Sequence, residues 1–225
     1  MLEFRGVSKE YYRGLRTKER AFNAVNNVNL SIEPGEFISI IGRSGSGKST
    51  LLNMSAGLIK PTAGDILFNE NDIYKYNDKE ISFYRNEEIG FVPQGQSLLS
   101  NFTVLENICL PWFLYEREGD PSSRALELLD ETGIGELADS YPKELSGGEM
   151  RRAAIVRSLI NKPALLIADE PTNDLDSQTT AEIMKLFYSI AQEGTAVLIV
   201  THELDTLSYS TKTYSMDNGS LSLHE

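Results

Sequence analysis

The sequence is short of the features that would place it outside a cell or across a membrane. Among its 225 residues there is one cysteine, Cys109, which excludes an internal disulfide and fits a reducing compartment. Within Asn107-Ile108-Cys109-Leu110-Pro111 it reads as a small buried hydrophobe. Basic charge is also scarce. Against 33 Asp and Glu there are 21 Lys and Arg, a net charge of −12, and a broad phosphate-backbone surface needs the opposite field. Nucleic acid is therefore not expected as a partner. Long apolar runs are missing too: Ala164 to Ala168 and Ala196 to Val200 are strand-sized, far below the ~20 residues that span a bilayer. The start, Met1-Leu2-Glu3-Phe4-Arg5, lacks the basic stretch and apolar run of a secretory signal. A cytoplasmic chain is expected, and any membrane role must be borrowed from a partner.

What is present is an ordinary globular composition, 40% apolar, in a chain long enough for one large domain. Leu2 to Val7, Ala21 to Ile32 and Phe37 to Ile41 read as strands, with Pro34-Gly35 as a turn. Arg13 to Arg20, with four basic residues, reads as a solvated hairpin loop. Helices are expected after Lys48, over Pro121 to Thr132, and over Thr179 to Glu193. Glu88 to Val92, Leu165 to Ala168 and Ala196 to Val200 read as strands between them. Alternating helices and buried apolar strands predict an α/β fold with a mostly parallel sheet.

Gly42-Arg43-Ser44-Gly45-Ser46-Gly47-Lys48-Ser49 matches the phosphate-cradling pattern G-x-x-x-x-G-K-[ST], with Thr50 following. Its glycines let backbone N–H groups face a polyphosphate, and the next helix adds its positive end. Lys48 supplies a point charge and the Ser49 hydroxyl a ligand for Mg²⁺. By residue frequencies alone the string arises in about one such chain in a hundred. Here a strand leads in and a helix leads out, so a P-loop nucleotidase is expected, and the string alone does not choose ATP.

The strand Leu165 to Ala168 ends in Asp169-Glu170. Asp169 is placed to hold Mg²⁺, and Glu170 to orient and polarise an attacking water. The plainer alternative, two acids that merely end a strand, loses ground with a phosphate cradle upstream. Leu145-Ser146-Gly147-Gly148-Glu149 contains a capping box, Ser146 with Glu149, that starts a helix. Two glycines in the first turn weaken that helix, which makes sense if backbone must approach a phosphate closely.

From these strings the chain resembles the ATP-binding-cassette (ABC) transporter ATPases along its whole length. The resemblance implies that Ser146, Gly147, Gly148 and Glu149 form a signature loop reaching the γ-phosphate held by an opposing subunit. It implies that Gln94 belongs to a glutamine loop that reaches Mg²⁺ and senses the membrane partner. By the same likeness His202 contacts the γ-phosphate and Tyr11, in preference to Tyr12, stacks on adenine. Asn173-Asp174-Leu175-Asp176 matches the loop that crosses to the other subunit, with Asp176 as its marker. Met150 and Pro93 depart from the common pattern without removing a chemical group.

The implied architecture is one nucleotide-binding domain, residues 1–225. It has an antiparallel N-terminal subdomain and a helical subdomain at about 97–160, which accounts for the 121 positions between Lys48 and Asp169. The implied partners are a membrane-spanning subunit and a second nucleotide-binding subunit, most simply an identical copy. The expected location is the inner face of the cell membrane. Ser97 to Asn107 and Tyr141 to Glu144 look similar to lipoprotein-release, macrolide-export and antimicrobial-peptide-export ATPases, favouring an exporter or force transmitter. Two other readings stay open: a soluble cassette ATPase not coupled to transport, and a chain that binds nucleotide without hydrolysing it.

Overall fold

The computed structural model describes residues 1–12, 21–95, 97–115, 117–173 and 175–224, so the basic stretch Arg13 to Arg20 and Asp174 lie outside the described residues. In chain order the regular elements are β1 (Leu2–Tyr12), β2 (Ala21–Ile32), β3 (Phe37–Ile41), α1 (Lys48–Ser55), β4 (Ala63–Phe68) and β5 (Asn71–Asp72). Next come α2 (Asp78–Phe83), β6 (Ile89–Val92), α3 (Val104–Phe113), α4 (Ser122–Glu131), α5 (Gly147–Leu159) and β7 (Leu165–Asp169). The chain closes with α6 (Ser177–Gln192), β8 (Ala196–Thr201), β9 (Lys212–Asp217) and β10 (Ser220–Leu223).

Two sheets form. One is antiparallel, in the order β2-β1-β4-β5; the other runs β10-β9-β3-β8-β7-β6. In the second, β3, β6, β7, β8 and β9 pair in parallel, and only the edge strand β10 is antiparallel. Every residue of β3, β7 and β8 is buried, as strands covered on both faces must be. The α/β fold with a mostly parallel sheet is therefore what the chain adopts.

The sequence reading gave no separate element to β4, β5, α2, α3, β9 or β10. β9 reads Lys-Thr-Tyr-Ser-Met-Asp and only Met216 in it is buried, so periodicity carries almost no signal. The β4–β5 hairpin turns on Asn69 and Glu70, both at positive φ (47° and 68°), as a tight hairpin turn requires. Helix boundaries shift by one or two residues. α6 starts at Ser177 because Asp176 caps it, accepting from the N–H groups of Gln178 and Thr179.

Three apolar clusters hold the layers together. Leu2, Phe4, Ile32 and Ile66 pack between the sheets with Leu51 and Met54 of α1. On the other face of the parallel sheet, Phe37, Val197 and Ile199 meet Ile183, Met184 and Phe187 of α6. Val104, Ile108, Cys109, Ala125, Leu129, Ala153 and Val156 form the third, joining α3, α4 and α5. Cys109 is a buried member of it, and burial pushes its thiol pKa up. Helix α5 belongs to two clusters at once: Ile155 and Leu159 face the sheet, while Ala153, Val156 and Ile160 face α3 and α4. Large side chains of this kind each contribute about 1.5–3 kcal/mol on full burial.

Candidate nucleotide site

The phosphate loop takes its shape from glycines that no other residue could replace. A Cβ on Gly42 (φ 156°) would stand 2.3 Å from the Met216 carbonyl oxygen, and one on Gly47 (φ 111°) 1.9 Å from that of Ala24. The loop is thus pressed between β2 and the β9–β10 hairpin, and the Gly219 N–H also donates to the Ser46 carbonyl at 3.0 Å. Helix α1 follows with Gly47 as its N-cap and no acidic residue in its first turn, leaving its positive end facing the loop. The buried Lys48 ammonium donates to the carbonyls of Gly42 (2.7 Å) and Arg43 (3.2 Å).

The strand ends β7 and β8 deliver the acid–base groups. Asp169 is buried, and burial pushes its carboxyl above the usual range. The Ser49 hydroxyl, Lys48 and Arg151 act in the opposite direction. Its Oδ1 is buried and has no hydrogen-bond partner. An orphaned carboxylate oxygen beside a hydroxyl suits an oxygen-seeking cation, and Mg²⁺ takes only one or two protein ligands beside water and phosphate. Among the described residues no group of three or more His, Cys, Asp and Glu is arranged to hold a metal ion.

Glu170 holds φ at 47°, a left-handed conformation that is uncommon for this residue type. Its N–H is anchored to the Val200 carbonyl at 2.9 Å, so strain there is over-determined by the sheet. The carboxylate that results accepts from Gln94 Nε2 at 3.2 Å and lies 3.5 Å from His202 Nδ1. Thr172 donates to Glu203 and so ties the loop after β7 to the loop after β8, a link the motif reading missed.

A cavity of about 640 Å³ gathers Arg43, Ser44, Gly45, Gly47, Lys48, Ser49, Thr50, Gln94, Glu170, His202 and Tyr11, together with Phe22 and Ala24. Tyr11 is stacked on Phe22, its cross-strand partner on β2, with ring centroids 5.8 Å apart and planes at 28°. Lys9 Nζ lies 5.4 Å from the Tyr11 ring centroid. Phe22 escaped the sequence reading because cross-strand register is not visible in one segment. Tyr12 is exposed and does not line the cavity.

Ser146, Gly147, Gly148 and Glu149 do not line this cavity. They form the capped start of α5: Glu149 Oε2 accepts from the Ser146 N–H at 2.7 Å, a bond that lowers the Glu149 pKa. Around Gly147 nothing lies within 4 Å of a would-be Cβ, whereas one on Gly148 would be 3.1 Å from Thr179 Cγ2. Asp176 uses its carboxylate to cap α6 and to accept from the Thr179 hydroxyl at 2.7 Å, and these bonds lower its pKa.

A phosphate cradle, an acid pair on a parallel strand end and a flanking β-sheet bearing an aromatic pair define an ATP-hydrolysing cassette. The chain belongs to the ABC transporter family, whose model matches residues 25–173. It is 42% identical over 204 residues to "Lipoprotein-releasing system ATP-binding protein LolD" of Aquifex aeolicus, covering 89% of this chain and 90% of that protein. The counterpart of the same name in Rickettsia bellii is 40% identical, covering 99% and 98%. A solved structure, the dimeric post-hydrolysis state of the ATP-binding cassette MJ0796 bound to ADP and Pi, superposes with a TM-score of 0.92. It shares 36% identity and covers 100% of this chain and 98% of its own. The chain is accordingly an ATP-binding, ATP-hydrolysing subunit of an ABC transporter. Among the described residues no helix is long and apolar enough to cross a membrane.

Proposed function

We propose that this chain is the Mg²⁺-dependent ATPase of a lipoprotein-release type complex, bound to the cytoplasmic face of a membrane-spanning subunit and acting as a homodimer. The observation that carries the reading is the division of the site. The groups that cradle phosphate and polarise water line one cavity, while the signature loop stands apart from it on α5. Each chain then supplies half of two sites, and a nucleotide is enclosed only when the signature loop of a second copy closes over it. The substrate class follows the relatives, which are ATP-binding proteins of lipoprotein-releasing systems by name.

In this reading the loop amides from Gly42 to Thr50 and Lys48 bind the β- and γ-phosphates, and Tyr11 with Phe22 offers a ring surface to adenine. Ser49, Asp169 and Gln94 hold Mg²⁺, which supplies neutralisation of phosphate charge when bound. Glu170 accepts a hydrogen bond from the attacking water and polarises it, while His202 steadies the γ-phosphate. Water's oxygen bonds to the γ-phosphorus as the bond to the β–γ bridging oxygen breaks, releasing ADP and phosphate. Positioning and charge carry most of the acceleration.

Membrane-partner pull-down from native cells, with ATP turnover measured on the captured complex and its lipid-anchored cargo identified, tests the whole reading. A chain found only in the soluble fraction, with no membrane protein attached, would favour the uncoupled ATPase instead.

A further inference from the structure

The loop that carries Gln94 is held at both ends by one helix. Arg151 of α5, almost wholly buried, donates from Nη1 to the Pro93 carbonyl at 2.9 Å. Six residues further along α5, the half-buried Arg157 donates to the Ser97 carbonyl (2.8 Å) and to the Ser97 hydroxyl (3.0 Å). Between these anchors stands Gly95, at φ 78°, with nothing within 4 Å of a would-be Cβ. Gln94 itself reaches Glu170. Beyond Ser97, Asn107 pins the following turn by accepting from the Leu99 N–H and donating to the carbonyls of Leu99, Phe102 and Thr103. Gly95, at a positive φ, therefore stands between two anchored residues, Pro93 and Ser97.

We propose that Arg151 and Arg157 are positioning residues: by fastening the glutamine loop to the signature helix they hold Gln94 at its reach to Glu170. Neither arginine is placed to touch nucleotide. Arg151 is one helical turn from the capped start of α5, and its guanidinium also lies in the field of Asp169. A planar fork suits Arg157, which serves two acceptors on one residue, and Arg151 donates to the Pro93 carbonyl. The assignment rests on the reading of Gln94 as a group that meets the nucleotide's metal.

The test is steady-state ATP turnover by the full chain, with melting curves for every variant. Gln94→Ala should lower kcat at least about tenfold. Arg151→Met and Arg157→Met keep the side-chain stem and lose the donors; each should lower kcat about three- to thirtyfold with KM within about twofold. Combined with Gln94→Ala, neither should lower kcat further by more than about twofold, since the loop end they position no longer carries its amide. Arg151→Lys, which keeps a donor for the Pro93 carbonyl, should recover part of the lost rate, and Arg157→Lys, which loses the fork, clearly less. A role confined to folding would multiply with Gln94→Ala instead, and that result, or wild-type kcat in both methionine variants, overturns the proposal. Should Arg151→Met fail to fold, Arg157→Met carries the same comparison. Unchanged turnover in Gln94→Ala would instead overturn the reading of Gln94.

Discussion

Glu170 and Asp169 are adjacent, yet their surroundings differ. Glu170 is turned by its left-handed backbone toward Gln94 and His202, whereas Asp169 is sealed beside Ser49 with one oxygen unpartnered. Glu170→Gln should bind ATP normally, lose most turnover and accumulate as an ATP-dependent dimer; size-exclusion chromatography with ATP checks it. Asp169 makes a separate prediction about stability. Burial raises its pKa above 3.8, so the folded state binds more protons than the unfolded one between those values. Stability therefore falls as pH rises from that ordinary value through the raised one, and the loss persists at neutral pH. Asp169→Asn should melt higher than wild type near pH 8, about equally near pH 4, and hydrolyse ATP poorly. At the mouth, Tyr11→Ala should weaken ATP binding about five- to a hundredfold, using ~1–3 kcal/mol for a base–aromatic stack. Phe22→Ala should weaken it by a smaller factor, because it removes the ring on which Tyr11 leans. Isothermal titration distinguishes the two. The acid pair and the phosphate loop were legible because each is a contiguous string with its chemistry written in order. Phe22 was not, because its meaning depends on which residue of β1 it faces.

Helix α5 shows how much an element can hide from a pattern reading. Its start was legible as a capping box, but its body is buried toward both the sheet and the α3–α4 layer. With apolar residues on two sides no single stripe emerges. α6 is the contrasting case, since Ile183, Met184, Phe187 and Ile190 make one apolar face that was read correctly. Its cap also yields a prediction. Asp176 accepts from two backbone N–H groups and one hydroxyl, so Asp176→Ala should cost ~1 kcal/mol, or about 2–4 °C in Tm. Asp176→Ser should keep most of that, and urea unfolding of the nucleotide-free chain separates the cap from any effect on dimer closure. β9 and β10 stayed invisible because they are short and polar, and β10 lies at the sheet edge. β9 is placed by its partner β3 and β10 by β9, not by their own composition.

Across the whole molecule the exposed apolar side chains are unevenly spread. Phe83, Phe113 and Leu114 are all half exposed or more, and Phe83 meets Tyr115 edge-on with centroids 6.2 Å apart. Of the four apolar residues Leu98, Leu99, Phe102 and Val104 after Gln94, Val104 is core, Leu98 is partly buried, and Leu99 and Phe102 are exposed. Phe113→Glu should release the chain from its membrane partner while leaving the isolated chain's turnover within about twofold, as fractionation and phosphate release would show. The clasp on the phosphate loop has another consequence. Ala24 and Met216 press on the same few glycines, although 192 residues separate them in the chain. During synthesis the cradle cannot set until the hairpin of β9 and β10 has left the ribosome. A nascent chain halted before residue 212 would carry a complete phosphate-binding string and no competent site. Such a chain should not be retained on immobilised ATP, whereas the full chain should be.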